Sequence, residues 1–288
     1  MKNHLRLSIF QHRLMLEGGM EPFLKWAGGK RWLVRKKLCP IPKNYKRFCE
    51  PFLGSGAMLF HLEPESAIIN DINTELIETY QAIAADWESV CRTLRQYDKK
   101  HCKEFYYKIR NTSPQKPHLK AARFIYLNRT CWNGLYRVNQ EGQFNVPKGT
   151  KDCVVLPTDD FKSVSDLLKR CSIYNSDFKS IIDKTAKDDF LFVDPPYTIK
   201  HNNNGFVKYN EKMFSWDDQV RLAEAIKAAS ERGVQFVVTN ARHSCIKELY
   251  KGFIQHPLIR ASVIAASSQN RGIYEELLIT NIGSKRRQ

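Results

Sequence analysis

Short apolar runs alternate along the chain with longer stretches in which apolar positions recur every three to four residues. That alternation is the pattern of an α/β fold, a sheet whose strands are separated by helices. The strand-like runs are Arg47–Glu50, Ala67–Asn70, Ser172–Asn175, Phe190–Val193 and Gln235–Thr239, followed by a late pair near Ser262–Ala265 and Leu277–Thr280. Helical periodicity covers Glu75–Ala84, Trp87–Tyr97, Leu119–Leu127 and Trp216–Arg232. In the last of these Trp216, Val220, Leu222, Ala223 and Ile226 fall on one side, and Gly233 supplies the stop. Residues 77–158 break the alternation and are basic, aromatic and loop-rich; they read as an insertion that carries substrate recognition between two halves of one catalytic sheet, 20–76 and 159–288. Residues 1–19 precede Met20 as an extension to which no function is assigned.

Charge gives the insertion a partner class. The 288 residues hold 46 Lys and Arg against 30 Asp and Glu, a net +16, and 42% are apolar, enough for a sizeable core. Nine basic residues and one acidic fall within 21–47, and twelve basic and two acidic within 99–151. Segments 48–98 and 152–194 are net acidic. In the second basic block Tyr106, Tyr107, Phe124, Tyr126, Trp132 and Tyr136 are interleaved with the cations, a composition suited to nucleic acid and also to a solvated helical face. Eight cysteines lie scattered without the two-residue spacing of zinc or redox motifs, so reduced structural thiols and no metal are expected. No apolar run approaches the ~18 residues of a membrane helix. The N-terminal run is interrupted by His and Arg, unlike a signal peptide. A cytoplasmic protein with no membrane partner is expected.

Three motifs carry chemistry. Glu50-Pro51-Phe52-Leu53-Gly54-Ser55-Gly56 closes a strand and opens a helix, where Gly54 and Gly56 let the backbone turn tightly and approach a ligand. Asp71, 21 residues beyond Glu50, ends the next strand, where it could hold ribose hydroxyls or cap a helix. Asp194-Pro195-Pro196-Tyr197 follows the apolar run Phe190–Val193 directly. Its prolines remove two N–H donors, so the loop offers carbonyl acceptors, one carboxylate and a ring, a pocket suited to a primary amine on a planar base.

These residues resemble the Dam-like DNA adenine-N6 methyltransferases, in that family's own motif order from Phe23 to about Asn281. Phe23-Leu24-Lys25-Trp26-Ala27-Gly28-Gly29-Lys30 is similar to the opening cofactor motif, EPFLGSG to the glycine motif and Asn70-Asp71-Ile72-Asn73 to the acidic one. Tyr126-Leu127-Asn128-Arg129, Trp132-Asn133-Gly134-Leu135-Tyr136-Arg137 and Phe144-Asn145-Val146-Pro147 resemble the DNA-recognition segment, and DPPY the catalytic motif.

The resemblance implies a Rossmann-like S-adenosylmethionine methyltransferase sheet with an inserted, mainly helical DNA-recognition domain over 77–158. It implies S-adenosylmethionine as cofactor, held by Trp26, Lys30, Gly54, Gly56, Asp71, Asp177 and Asp194. Catalysis falls to Asp194, Pro195, Pro196 and Tyr197: Asp194 and the Pro195 carbonyl accept the two N–H bonds of an adenine amine flipped out of double-stranded DNA and held against Tyr197. Lys25, Arg129, Trp132, Asn133, Leu135, Arg137, Asn139 and Pro147 match positions that meet DNA. Trp132 fills the space of the flipped base, Arg137 reads a guanine, and Leu135 and Pro147 offer apolar surface to a thymine methyl, together pointing to GATC. One active site acting on one strand at a time makes a monomer the expectation. Rival readings are a cytosine-N4 methyltransferase, which needs the same acceptors, an RNA adenine methyltransferase and a catalytically idle DNA-binding module. A nicotinamide dehydrogenase would need a fuller dinucleotide fingerprint than GSG.

Overall fold

The computed structural model describes residues 20–134, 136–139, 142–198, 214–261 and 273–283. Two compact units divide the chain: the first comprises the residues up to Leu38, Leu53–Ala67 and Asn73–Asn175, and the second Cys39–Phe52, Ile68–Ile72 and the residues from Ser176 onward.

A Rossmann-like sheet of seven strands organises the described residues. The strands are β1 (Phe48–Glu50), β2 (Ala67–Asn70), β3 (Cys171–Tyr174), β4 (Phe190–Val193), β5 (Gln235–Ala241), β6 (Ile254–Ala261) and β7 (Ile273–Thr280), in the order β3-β2-β1-β4-β5-β7-β6. β1, β4 and β5 run parallel, with Cys49 beside Leu191 and Val193 beside Val238; β7 is antiparallel to both β5 and β6. Every residue of β1, β2 and β4 is buried. Such strands read as unbroken apolar runs, which is why β2 and β4 match their predicted bounds. The order reverses between β1 and β4, so the segments leaving their C-terminal ends flank the crevice where ligands of open α/β sheets bind.

In the second unit the helices α7 (Phe178–Ile182), α8 (Trp216–Glu231) and α9 (Ser244–Leu249) cover the sheet. Ile181, Leu222, Ile226 and Ile246 join Leu191, Val193, Phe236, Val238 and Ile279 in one apolar core. α8 starts where Ser215 and Asp218 form a reciprocal capping box and stops before Gly233, whose φ of +86° favours glycine.

The first unit is mainly helical: α1 (Arg31–Arg35), α2 (Ala57–Leu62), α3 (Thr74–Lys100), α4 (Lys103–Arg110), α5 (Pro117–Thr130) and α6 (Phe161–Leu168). The two helices expected over 75–84 and 87–97 are one span broken at Asp86 (φ −152°, ψ 67°), where the Asp86 carboxylate accepts from the Ser89 amide at 3.0 Å and restarts the helix. Its core is aromatic: Phe23 packs against Phe60, Tyr80 and Phe161 with centroids 5.2–6.0 Å apart. The late strand expected near Ser262–Ala265 lies outside the described residues, as does the 1–19 extension, and β6 ends just before it, at Ala261. Among the described residues no helix is long and apolar enough to cross a membrane.

Candidate active site

The sequence-predicted residues are distributed over both units, and each unit shapes its share. In the first, the segment from Phe23 to Lys30 is a ledge pinned by side chains. Asn128 accepts the Lys25 amide at 2.9 Å and donates to the Lys25 carbonyl at 2.7 Å; Arg31 donates to the carbonyls of Pro22 and Leu24; Arg129 donates to that of Phe23. Trp26 lies on this ledge, stacked on Tyr136 (5.9 Å, 19°) and Phe124 (6.4 Å, 29°). Its ring also faces Gly54, where a Cβ would come within 2.7 Å of Trp26 Cδ1 at a φ of +50°. Only glycine fits there. Tyr80 holds the same loop by donating to the Gly54 carbonyl at 3.1 Å, and Gly56 is the N-cap of α2. Lys30 is not a surface cation: it is 3% exposed, with Nζ 3.0 Å from the Gly28 carbonyl.

Several residues expected to meet DNA are exposed on the first unit. Trp132 is 53% exposed, Asn133 takes a left-handed φ of +56°, and Arg137 and Pro147 are exposed. Isolated bridges and hydrogen bonds link the described parts of this segment. Val138 pairs with Phe144, Asn145 Oδ1 accepts from Arg137 Nε at 3.3 Å, and the Pro147 carbonyl accepts the Trp132 amide at 2.9 Å. Asn139 Oδ1 accepts the Gln143 amide at 2.8 Å. Leu135 lies outside the described residues. Burial and the neighbouring ammonium of Lys151 hold Lys25 down to about 8.

Arg129 corrects the expectation that it meets DNA. It is 2% exposed and forms a two-pronged ion pair with Asp159, both distances 2.6 Å, while also donating to the Phe23 and Val154 carbonyls. A guanidinium so engaged in the interior has no reach to a phosphate or base edge.

In the second unit the acids gather at the C-terminal edge of the sheet. Asn70, ending β2 and 1% exposed, donates to the carbonyls of Pro51 and Ser176 and accepts the Ser176 amide, tying the segment after β1 to the turn that carries Asp177. Asp71 follows directly. It does not cap the next helix, because Asn73 does, accepting the Leu76 amide at 2.9 Å. Asp177 caps α7 and pairs with Arg221 at 3.0 Å. Beside it Phe52, Phe178 and Phe214 form a ring triangle with centroids 5.4–5.6 Å apart.

Asp194 leaves the end of β4 with Oδ1 accepting the Thr239 hydroxyl at 2.6 Å. A buried relay sets the loop behind it: Asn240 donates to Gln219 at 2.9 Å and Gln219 donates to the Pro196 carbonyl at 3.2 Å. Tyr197 donates to Glu276 at 2.8 Å, and burial together with the Asp194 and Glu276 carboxylates raises its phenol well above the ordinary value. Thr239, Asn240, Gln219 and Glu276 were not foreseen. The visible signal was a polar pair ending the apolar run QFVVTN and an acid inside YEELLIT. All eight cysteines are free thiols, and burial pushes Cys39 and Cys49 up to about 12.

Comparison with known proteins supplies the class. The family model for D12 class N6 adenine-specific DNA methyltransferases matches residues 26–263. The chain is 35% identical to the type II methyltransferase M1.LlaDCHI of Lactococcus lactis subsp. cremoris over 92% of this chain and 96% of that protein. It is 35% identical to the type II methyltransferase M.MjaIII of Methanocaldococcus jannaschii over 91% and 99%. The DNA adenine methylase of Escherichia coli K12 is 28% identical over 89% and 93%.

Proposed function

Because the chain belongs to the D12 class N6 adenine-specific DNA methyltransferases, and is therefore an enzyme that methylates adenine in DNA, we propose that its methyl donor is S-adenosylmethionine and its target an adenine flipped out of a GATC duplex site. The division into a catalytic part (20–76 and 159–288) and a recognition part (77–158) belongs to the same reading.

The donor set fits the cofactor. Gly54 leaves a cradle against Trp26 that a Cβ would fill, Lys30 is a buried cation suited to a carboxylate, and Asp71 and Asp177 are acids suited to ribose and adenine donors. S-adenosylmethionine, when bound, supplies a sulfonium methyl to the attacking nitrogen.

The observation that supports the proposal is the way the DPPY loop is anchored. Thr239 donates to Asp194 Oδ1 and Gln219 donates to the Pro196 carbonyl, and on this reading the Asp194 carboxylate and the Pro195 carbonyl accept the substrate amine. Two acceptors at fixed positions draw the lone pair of an adenine amine out of the ring plane and direct it for in-line attack. Tyr197 offers the ring on which the base stacks, at an unstacking cost of a few kcal/mol to the duplex. Exposed Trp132 suits the vacated space, Asn133 the backbone and Arg137 a guanine edge, while Leu135, Pro147 and Lys25 complete the contacts.

Plasmid DNA from a methylation-deficient host, treated with the protein and S-adenosylmethionine, should become resistant to a nuclease blocked by adenine methylation in GATC. Asp194→Ala should leave it fully cut. Methyl incorporation with unchanged cutting would remove GATC, and full protection by Asp194→Ala would remove the mechanism.

A further inference from the structure

Among the buried polar side chains on the strands behind the DPPY loop, two reach back to that loop. Thr239 lies on β5 and Glu276 on β7, both within 1% of complete burial, among Val237, Val238, Leu277, Leu278 and Ile279. A carboxylate on an interior strand carries a large desolvation cost unless its hydrogen bonds are made. Their placement shows what they are for. The register sets Thr239 opposite Leu278 and Ala241 opposite Glu276. Directly opposed residues share a face, and so do residues two apart, which makes Thr239 and Glu276 diagonal neighbours on one face. From there the Thr239 hydroxyl reaches Asp194 Oδ1 at 2.6 Å and Glu276 Oε2 receives the Tyr197 hydroxyl at 2.8 Å.

We propose that Thr239 and Glu276 are paired positioning residues for methyl transfer: Thr239 fixes the Asp194 carboxylate against the substrate amine, and Glu276 fixes the plane of Tyr197 against the flipped base. This rests on Asp194 being the amine acceptor and Tyr197 the stacking ring. Both anchors come from strands rather than loops, and strand-borne groups hold a neighbour more rigidly than loop-borne ones. The two differ in emphasis, although Thr239 also lies within hydrogen-bonding reach of the Tyr197 hydroxyl. Thr239 governs the acceptor that works in the transition state; Glu276 governs the surface on which the base rests before reaction. Tyr197 retains its proton, because burial and two nearby carboxylates disfavour the phenolate, so it remains a donor to Glu276 across the physiological range.

The test separates the two roles from general packing. Thr239→Val keeps shape and removes the hydroxyl; it should lower kcat by roughly 10- to 100-fold with KM for DNA and donor affinity within about twofold, and Thr239→Ser should recover most of the rate. Glu276→Leu should raise the fluorescence of 2-aminopurine placed at the target base, because a loosened Tyr197 quenches it less, whereas Glu276→Gln, which still accepts from the phenol, should match the native enzyme. Thermal melts identify any variant that fails to fold, and Tyr197→Phe replaces Glu276→Leu in that case, with the same fluorescence rise expected. Thr239→Val with native kcat, equal losses in Thr239→Val and Thr239→Ser, or unchanged fluorescence in the loosened variants would overturn the proposal. Asp194→Ala run beside them distinguishes the failures: if it is active, the underlying mechanism is wrong; if it is dead while Thr239→Val is native, only the positioning role falls.

Discussion

Replacing Arg129 by methionine should unfold the first unit more readily without any direct effect on DNA contact. The change keeps the volume of the aliphatic stem and removes the guanidinium, leaving the Asp159 carboxylate, itself 7% exposed, without its ionic partner. Losing one member of a buried ion pair costs about 3–5 kcal/mol. The Phe23 and Val154 carbonyls also lose their donor, adding roughly 1 kcal/mol or more. A total near 5 kcal/mol corresponds to a fall in Tm of about 10–20 °C for a chain of this size. The decisive measurement is a double-mutant cycle by thermal and urea unfolding. Asp159→Leu added to Arg129→Met should recover part of the loss, because the orphaned carboxylate is gone, while the carbonyls and the Leu156 amide that Asp159 also accepts remain unserved. An Arg129→Met protein that melts within about 2 °C of the native one and fails only in DNA affinity would show that the guanidinium reaches DNA and that the interior assignment is wrong.

The Tyr250 hydroxyl is a buried donor with no hydrogen-bond partner among the described residues, on a fully buried ring. Tyr250→Phe should therefore raise stability by about 1 kcal/mol in urea unfolding, and a loss of that size would place an ordered partner at the hydroxyl. Lys25, held at about 8 against an ordinary 10.5, is charged below that value and loses its proton as pH rises through it. Low-salt DNA affinity should weaken between roughly pH 7 and pH 9, with Lys25→Arg abolishing most of the dependence; an unchanged pH profile in that variant would exclude Lys25 as a phosphate or base contact. For stability the sign is opposite: the penalty of the charged, crowded ammonium is present below about 8 and is relieved as pH rises toward 10.5.

The strands buried on both faces were legible because their runs are mostly apolar, so Ala67–Asn70 and Phe190–Val193 need only a turn signal at each end. α8 was equally plain, with its cap written in Ser215 and Asp218. β6 was hidden, since Gln255, His256 and Pro257 give a sheet-edge strand no apolar run. The chemistry-bearing motifs were visible as local strings, Trp26 to Lys30 and Asp194 to Tyr197. Their supports were not. Thr239 and Glu276 lie 45 and 79 positions from the residues they hold, and no local periodicity records such a pairing. Arg129 shows the converse: a cation inside a basic block looks the same in sequence whether it faces DNA or Asp159.

The ledge from Phe23 to Lys30 places Lys25 and Trp26 in adjacent positions on one stretch of backbone clamped by Asn128. A residue suited to DNA and a residue suited to the methyl donor thus share a rigid support. Any force on one is felt by the other within a single peptide unit. With Lys25 proposed for DNA and Trp26 for the methyl donor, any factor by which DNA changes donor affinity is returned by the donor to DNA affinity in equal measure.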